Sequence, residues 1–237
     1  MIKSIENIVK ETNLKHIAII MDGNRRWAKN KNLPSAFGHK KGVESLRNTV
    51  RACDDFGVKY LTVYAFSTEN WNRKKEEVDF LMNLVAETLI NELDEMHEEN
   101  VCIRFIGDMT RLSDRLQKVI SNAVLKTQHN TGVNLQIALN YGSRDEITYA
   151  IKNIVNSGVK AEDITEELIS ENLYTKGIPN PDILIRTGGE QRISNYLLWQ
   201  IAYSEIIIKD EFWPEFNKDI LAQCIEEFGN RQRRYGK

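Results

Sequence analysis

Residues 16–27 read HIAIIMDGNRRW, an apolar run that delivers an acid, a glycine, an asparagine and two arginines within a few residues. Guanidiniums suit phosphate oxygens, and Gly23 permits close backbone approach, so Gly23, Asn24, Arg25 and Arg26 form a candidate anion cradle at a strand end. A carboxylate there repels phosphate unless a divalent cation lies between them. Asp22 therefore points to Mg²⁺, which binds through one or two carboxylates, phosphate oxygens and water. The alternative makes Asp22 or Asn24 an ordinary helix N-cap with solvated arginines.

Two further stretches send polar groups past a strand end. In AFSTENWNR, Ser67, Glu69, Asn70 and Arg73 follow the last apolar residues, although Ser67 or Asn70 is also a turn former and Trp71 a core aromatic. In PDILIRTGGEQRISNYLLW, Arg186 precedes a Thr-Gly-Gly turn, and Arg192 and Ser194 stand before an apolar, helix-like run. Successive N–H groups around Gly188 and Gly189, with both arginines and the hydroxyl, make a second candidate phosphate receptor. His39, at a helix start behind the first cradle, is a candidate donor to phosphate. Glu205 is either a solvated strand-end acid or a second carboxylate for the metal.

The elements that must position these groups are legible as apolar runs at 16–21, 59–66, 101–107, 133–139, 182–186 and 204–209, separated mostly by helical patterns. Runs without clean alternation read as strands buried on both faces, and their alternation with helices predicts an α/β fold with a mainly parallel sheet of about six strands. Val78, Leu81, Val85, Leu89, Leu93 and Met96 recur at helical steps within 77–100, with Phe80, Leu84 and Ile90 widening the stripe. No Gly/Ser-rich linker or internal repeat divides the 237 residues, so one domain is expected, with 1–14 as an N-terminal extension and 229–237 as a basic tail.

With 32 basic against 34 acidic residues, general affinity for nucleic acid is not indicated; any anion site must be local. Cys53, Cys102 and Cys224 lie far apart, which argues against zinc or a disulfide framework. No apolar run approaches the roughly 18 residues that span a bilayer, and the N-terminus lacks a signal-peptide core, so a cytoplasmic protein is expected. Two phosphate receptors, a metal acid and a wide apolar surface together suggest substrates bearing diphosphates on hydrocarbon.

The blocks HIAIIMDGNRRWA, FGHKKG, YLTVYAFSTENWNR, the IGD of 106–108, LNYGSRDEI and PDILIRTGGEQRISNYLLWQIAYSEI, spread in order from about His16 to Gly236, resemble the signatures of the cis-prenyltransferase family. The resemblance implies a homodimer that adds isopentenyl diphosphate successively to an allylic diphosphate such as farnesyl diphosphate, with Mg²⁺ and with cis double bonds. It further implies a product of undecaprenyl length, used as lipid carrier in cell-wall synthesis, and transient contact with a membrane surface on release. On this resemblance Asp22 is the catalytic aspartate that handles Mg²⁺ and diphosphate. Gly23, Asn24, Arg25, Arg26 and His39 cradle the allylic diphosphate, with Trp27 beside them. Ser67, Thr68, Glu69, Asn70, Trp71 and Arg73 match the second substrate block, and Arg186, Arg192, Ile193 and Ser194 the isopentenyl diphosphate site. Glu205 matches a second metal acid, and Arg234-Tyr235-Gly236 an ending that reaches the partner's diphosphate.

Two positions depart from the family pattern: Arg25 stands where many bacterial members carry glycine, and Ser35 where arginine is usual. The family assigns proton removal to Asn70, but a neutral amide is a poor acceptor, so orientation of substrate is the better chemical reading. In the family a product tunnel runs between the sheet and the helix at 77–100, which makes Leu84, Val85, Leu89, Leu135 and Ile137 candidate lining residues. Two other classes remain open. A phosphatase using Asp22 as nucleophile meets Asn24 where its usual second aspartate belongs; an inactive dimer partner would lack the aspartate that this chain keeps.

Overall fold

The computed structural model describes residues 4–231. Six strands, β1 (His16–Ile20), β2 (Tyr60–Ser67), β3 (Cys102–Ile106), β4 (Asn134–Tyr141), β5 (Ile183–Arg186) and β6 (Glu205–Ile208), form one sheet in the order β3-β4-β2-β1-β5-β6. Every pairing is parallel. All six expected strands are present; the inner strands β1, β4 and β5 are buried on both faces, while the edge strands β3 and β6 each expose a residue. One face packs Ile17, Ile19, Leu61, Val63, Leu135 and Ile183 into the larger core. The other packs Ala18, Ile20, Ala138 and Leu184 against Tyr141 and Tyr196, as the two-residue period requires.

β1 is flanked by β2 on one side and β5 on the other. The chain runs outward from β1 to β2 and the β3 edge, then returns across β1 to β5. The carboxyl ends of these strands consequently converge on one crevice, the usual place for a ligand in an open parallel sheet. Helices cover the faces: α1 (Ile5–Thr12), α2 (Asn24–Asn30), α3 (Ser35–Phe56), α4 (Lys75–Glu98), α5 (Asp114–Thr127), α6 (Ser143–Asn156), α7 (Glu166–Ser170) and α8 (Lys218–Asn230). In α4 the stripe buries Val78, Leu89, Leu93 and Met96, whereas Ile90 stands 55% exposed, outside it.

Two local readings change. Residues 5–12, within the segment set apart as an extension, form α1, capped by Ser4, with Val9 buried and the helix packed on α8. The helix-like run after Arg192 is a series of turns, because Ser194, Asn195 and Leu197 all adopt positive φ, which no right-handed helix contains. The Arg234-Tyr235-Gly236 ending lies outside the described residues.

Candidate active site

β1 ends in a tight turn, with the Asp22 N–H donating to the Ile20 carbonyl at 2.9 Å. Gly23 follows at φ +106°, and a Cβ there would lie 2.6 Å from Phe212 Cδ1, so glycine alone fits. Gly23 itself is the N-cap of α2, without side-chain capping; neither Asp22 nor Asn24 serves as the cap. α2 has only seven residues. The positive charge here accordingly comes from side chains more than from a helix end.

Asp22 Oδ2 accepts from Arg186 Nη2 at 2.8 Å, and its Oδ1 lies 3.2 Å from Arg26 Nη2. Burial alone would raise the Asp22 pKa, but the Arg186 hydrogen bond and the charges of Arg186 and Arg26 outweigh it and hold the carboxyl below its usual value. Arg186, at the end of β5, has a side chain only 5% exposed. It also donates to Ser194 Oγ at 2.8 Å and to the Arg192 carbonyl, while its Nε is buried without a partner. Arg26 donates to the Gly188 carbonyl at 2.8 Å. A Cβ at Gly188 would sit 2.6 Å from that guanidinium, which explains the first glycine of the pair.

The Gly188 and Gly189 N–H groups are not a phosphate nest. They donate to the carbonyls of Glu211 (2.8 Å) and Lys209 (2.9 Å), fastening the loop after β6. A second candidate receptor is therefore left to side chains: Arg186, Arg192 and Ser194. Two carboxylates brace the exposed arginines. Glu190 pairs with Arg26 at 3.4 Å and Arg192 at 2.5 Å; Glu77 pairs with Arg73 at 3.0 Å and Arg25 at 3.6 Å.

After β2, Ser67 and Asn70 form a capping box, in which Asn70 Oδ1 accepts the Ser67 N–H at 3.1 Å. That oxygen is occupied, and the amide NH₂ is the group Asn70 has to offer. Glu69 accepts from Asn195 at 2.9 Å, and this bond, against the opposing effect of burial, lowers its pKa. Trp71 donates to Asn140 at 2.7 Å and packs edge-on against Phe66, while Thr68 bonds Asp145 at 3.3 Å.

Three connected cavities occupy the crevice. A cationic one of about 730 Å³ is walled by Asp22, Gly23, Asn24, Arg25, Arg26, Lys29, Ser35, His39 and Arg73. A second of about 550 Å³ adds Tyr64, Ser67, Glu69, Asn70, Arg186, Arg192 and Ser194. The third, about 120 Å³, is a narrow apolar channel between α3, α4 and the sheet, with Leu84, Val85, Leu89, Leu135 and Ile137 on its wall. Met21, Asn24 and His39 line all three. His39 lies on the second turn of α3, which starts at Ser35, four residues earlier than expected. Its Nε2 is buried without a partner, and burial, then Arg73 and Arg25, push its pKa down to about 4, so the ring is neutral at pH 7.

Trp27, Thr68 and Trp71 are not on these walls; Thr68 bonds the exposed Asp145, and Trp71 bonds the buried Asn140. Ile193 packs against the second core cluster and lines a small separate cavity with Ile206 and Ile208. Glu205 stands apart from Asp22 of its own chain. It opens β6 in register with Ile183, whereas Asp22 lies beyond the opposite end of β1, and the three strand residues from Glu205 to Ile208 alone span about 10 Å. Glu205 instead pairs with Arg231 at 2.8 Å, so it shares no metal with Asp22 of the same chain.

The family described as "Putative undecaprenyl diphosphate synthase" matches residues 20–236. This chain belongs to that family. An isoprenyl transferase of Clostridium perfringens is 50% identical over 97% of this chain and 92% of its own. A Micrococcus luteus relative, named ditrans,polycis-undecaprenyl-diphosphate synthase ((2E,6E)-farnesyl-diphosphate specific), is 50% identical over 94% of this chain and 91% of its own. The crystal structure of lavandulyl diphosphate synthase from Lavandula x intermedia, in complex with dimethylallyl diphosphate, superposes with TM-score 0.92 at 35% identity, covering 96% of this chain and all of the other. The protein is thus a cis-prenyltransferase, an enzyme class that generally needs a divalent metal ion.

The residues present fit such an ion in one way. Among the described residues no group of three or more His, Cys, Asp or Glu side chains could cage a metal. A hard cation held by Asp22, with its remaining ligands from diphosphate oxygens and water, matches a site with one central carboxylate ringed by arginines. Sequence reasoning passed over Glu77 and Glu190, although Glu77 lies four residues after Arg73, a spacing that signals a helical ion pair. It also passed over Tyr64 and Trp213 on the cavity walls; Trp213 is brought there by tertiary packing, for which no local pattern exists.

Proposed function

We propose that this cis-prenyltransferase condenses isopentenyl diphosphate successively onto an allylic diphosphate such as farnesyl diphosphate, with Mg²⁺. The product is a polyprenyl diphosphate of undecaprenyl length that serves as lipid carrier in cell-wall synthesis. The observation that carries this reading is the junction at Met21, Asn24 and His39, where a cavity ringed by cations opens directly into an apolar channel. A diphosphate head and a hydrocarbon tail are the ligand such a pair of spaces would take.

Bound beside Asp22, Mg²⁺ would supply neutralisation of charge on the leaving diphosphate. Arg26, Arg25, Arg73 and Lys29 hold the allylic diphosphate in the larger cavity, where preoriented donors stabilise the charge that develops as the carbon–oxygen bond breaks. His39, neutral, donates from Nε2 to a diphosphate oxygen and satisfies its buried nitrogen. Arg186, Arg192 and Ser194 hold isopentenyl diphosphate in the second cavity and aim its double bond at the allylic carbon. New carbon–carbon bond formation is followed by loss of a proton to a diphosphate oxygen or water. Asn70 orients the substrate through its NH₂, since its oxygen is held by Ser67.

The channel's 120 Å³ is about four water volumes, so a lengthening tail must press α3 and α4 apart. Each five-carbon unit taken from water contributes about 4 kcal/mol toward that opening. Met21, Met82 and Met96 on the wall are the adaptable side chains.

The enzyme is further read as a cytoplasmic homodimer. All three cysteines are free and buried, and no described helix is long and apolar enough to cross a membrane. The edge strand β6 exposes Ile206, which suits a second copy. Release of a lipid product calls for brief contact with a membrane surface. Incubation with farnesyl and isopentenyl diphosphates, with and without Mg²⁺, tests the reading: metal-dependent chain growth on chromatography is expected. Phosphate release alone, or no reaction, would contradict it.

A further inference from the structure

From Gly23 to Val43 the chain carries six Lys or Arg residues, at 25, 26, 29, 31, 40 and 41, and no Asp or Glu, in a protein whose net charge is −2. Arg25 and Arg26 are accounted for by the cavity. So is Lys29, at its rim, but Lys31, Lys40 and Lys41 are not. Lys29, Lys31 and Lys40 are exposed and form no ion pair with another described residue; Lys41 pairs with Glu44. Between them stand two exposed apolar side chains, Leu33 at 39% and Phe37 at 54%. Phe37, Lys40 and Lys41 occupy positions i, i+3 and i+4 of α3, hence one helix face, and Leu33 lies in the turn before it. Lys29 and Leu33 also line the larger polar cavity, so this corner is its rim.

We propose that the α2–α3 corner is a membrane-docking edge that seats Phe37 and Leu33 in the interface of an anionic lipid bilayer, with Lys31 and Lys40 on the headgroup phosphates. An exposed apolar pair ringed by cations is the pattern of a weak monotopic contact, in which burial of apolar side chains and attraction to anionic lipid act together. Charge complementarity favours lipid over another protein, because the patch is too small for a stable protein interface yet uniformly positive. Nucleic acid would use the lysines but leave Phe37 and Leu33 in water unless bases stacked there. The contact places the cavity rim against the bilayer. The purpose of that placement rests on the function proposed above; the contact itself does not.

The test is cosedimentation of the full chain, without substrate or metal, with vesicles of phosphatidylcholine alone or with phosphatidylglycerol added. Salt-sensitive binding to the anionic vesicles only is expected. Lys31→Gln with Lys40→Gln should weaken it ~25-fold, about fivefold for each charge at a membrane surface. Phe37→Ser should weaken it on the order of tenfold, while Lys118→Gln with Lys152→Gln, exposed lysines elsewhere, should leave it unchanged. None of the substituted residues lines the three cavities, so chain elongation in detergent serves as the folding control, and failure of the function proposed above would show there separately. Absence of wild-type binding, or equal loss in the two lysine pairs, would overturn the proposal. So would an inert Phe37→Ser together with displacement by single-stranded RNA, which would assign the surface to nucleic acid.

Discussion

One histidine lies near each end of the sheet, His16 buried in β1 and His39 half-buried on α3, and the two are finished differently. His16, at the amino end of β1, has both ring nitrogens engaged, Nδ1 with the Pro179 carbonyl at 2.6 Å and Nε2 with Thr62 Oγ1 at 2.7 Å. His39, at the carboxyl end, has a buried Nε2 with no partner, and Arg186 beside it a buried Nε in the same condition. Burial lowers both histidines to about 4. Unequal satisfaction separates the two rings: His16 is complete within the protein, and His39 keeps bonding capacity for something that enters.

The sharpest way to break that contrast is Asp22→Ala, which removes the carboxylate that bridges Arg26 and Arg186. Turnover should fall by more than about 10³-fold with the fold retained, since Arg186 keeps Ser194 and the Arg192 carbonyl. Activity preserved at saturating Mg²⁺ would remove the proposed metal role. Next come the histidines themselves. His39→Ala should lower kcat about 10²-fold at unchanged or slightly higher thermal stability, because it deletes an unsatisfied polar atom. His16→Ala should do the reverse, costing about 3 kcal/mol in denaturant unfolding while the folded fraction turns over normally.

Acid titration sharpens the same pair. Both rings are neutral in the folded chain, whereas an unfolded histidine takes up a proton near pH 6.5. Between that value and about 4 the unfolded state binds more protons, so stability must fall as pH drops through this window and stay level above it. For His16 the full effect is about 3 kcal/mol. His16→Gln should remove about half of that slope between pH 6.5 and 4, leaving the part due to His39; an unchanged slope would show that the His16 imidazole is not neutral in the fold. The smallest expected effect is at Asn70. Asn70→Asp keeps the acceptor for Ser67 and loses the NH₂ donor, so kcat/KM should drop about tenfold with no new ionisation in the pH–rate profile. A rate gain with a new acid limb would make position 70 a base after all.

How far the sequence foretold this arrangement depends on the kind of signal. Strands 16–20 and 183–186 were legible because continuous apolar runs have few other uses, and Asp22, Arg26 and Arg186 because charges at strand ends are unusual there. Backbone engagement was not legible. Gly188 and Gly189 look like a phosphate nest until the loop at 209–211 is seen taking their N–H groups. The apolar run at 196–201 imitates a helix, yet positive φ at Ser194, Asn195 and Leu197 makes it a turn series whose buried Tyr196 stacks on Tyr64 at 4.4 Å. At Glu205, resemblance gives a residue's type and position in the chain, while strand direction decides which end of the sheet it occupies relative to Asp22 of the same chain.

The central claim is that one ligand spans both environments at the Met21–Asn24–His39 junction. Its most direct test is a crystal structure of the chain with Mg²⁺ and a non-hydrolysable farnesyl thiodiphosphate. The account predicts the diphosphate against Asp22, Arg26 and His39, with the tail threaded past Leu84, Val85 and Leu135. A tail lying outside that channel, or a diphosphate bound away from Asp22, would contradict it.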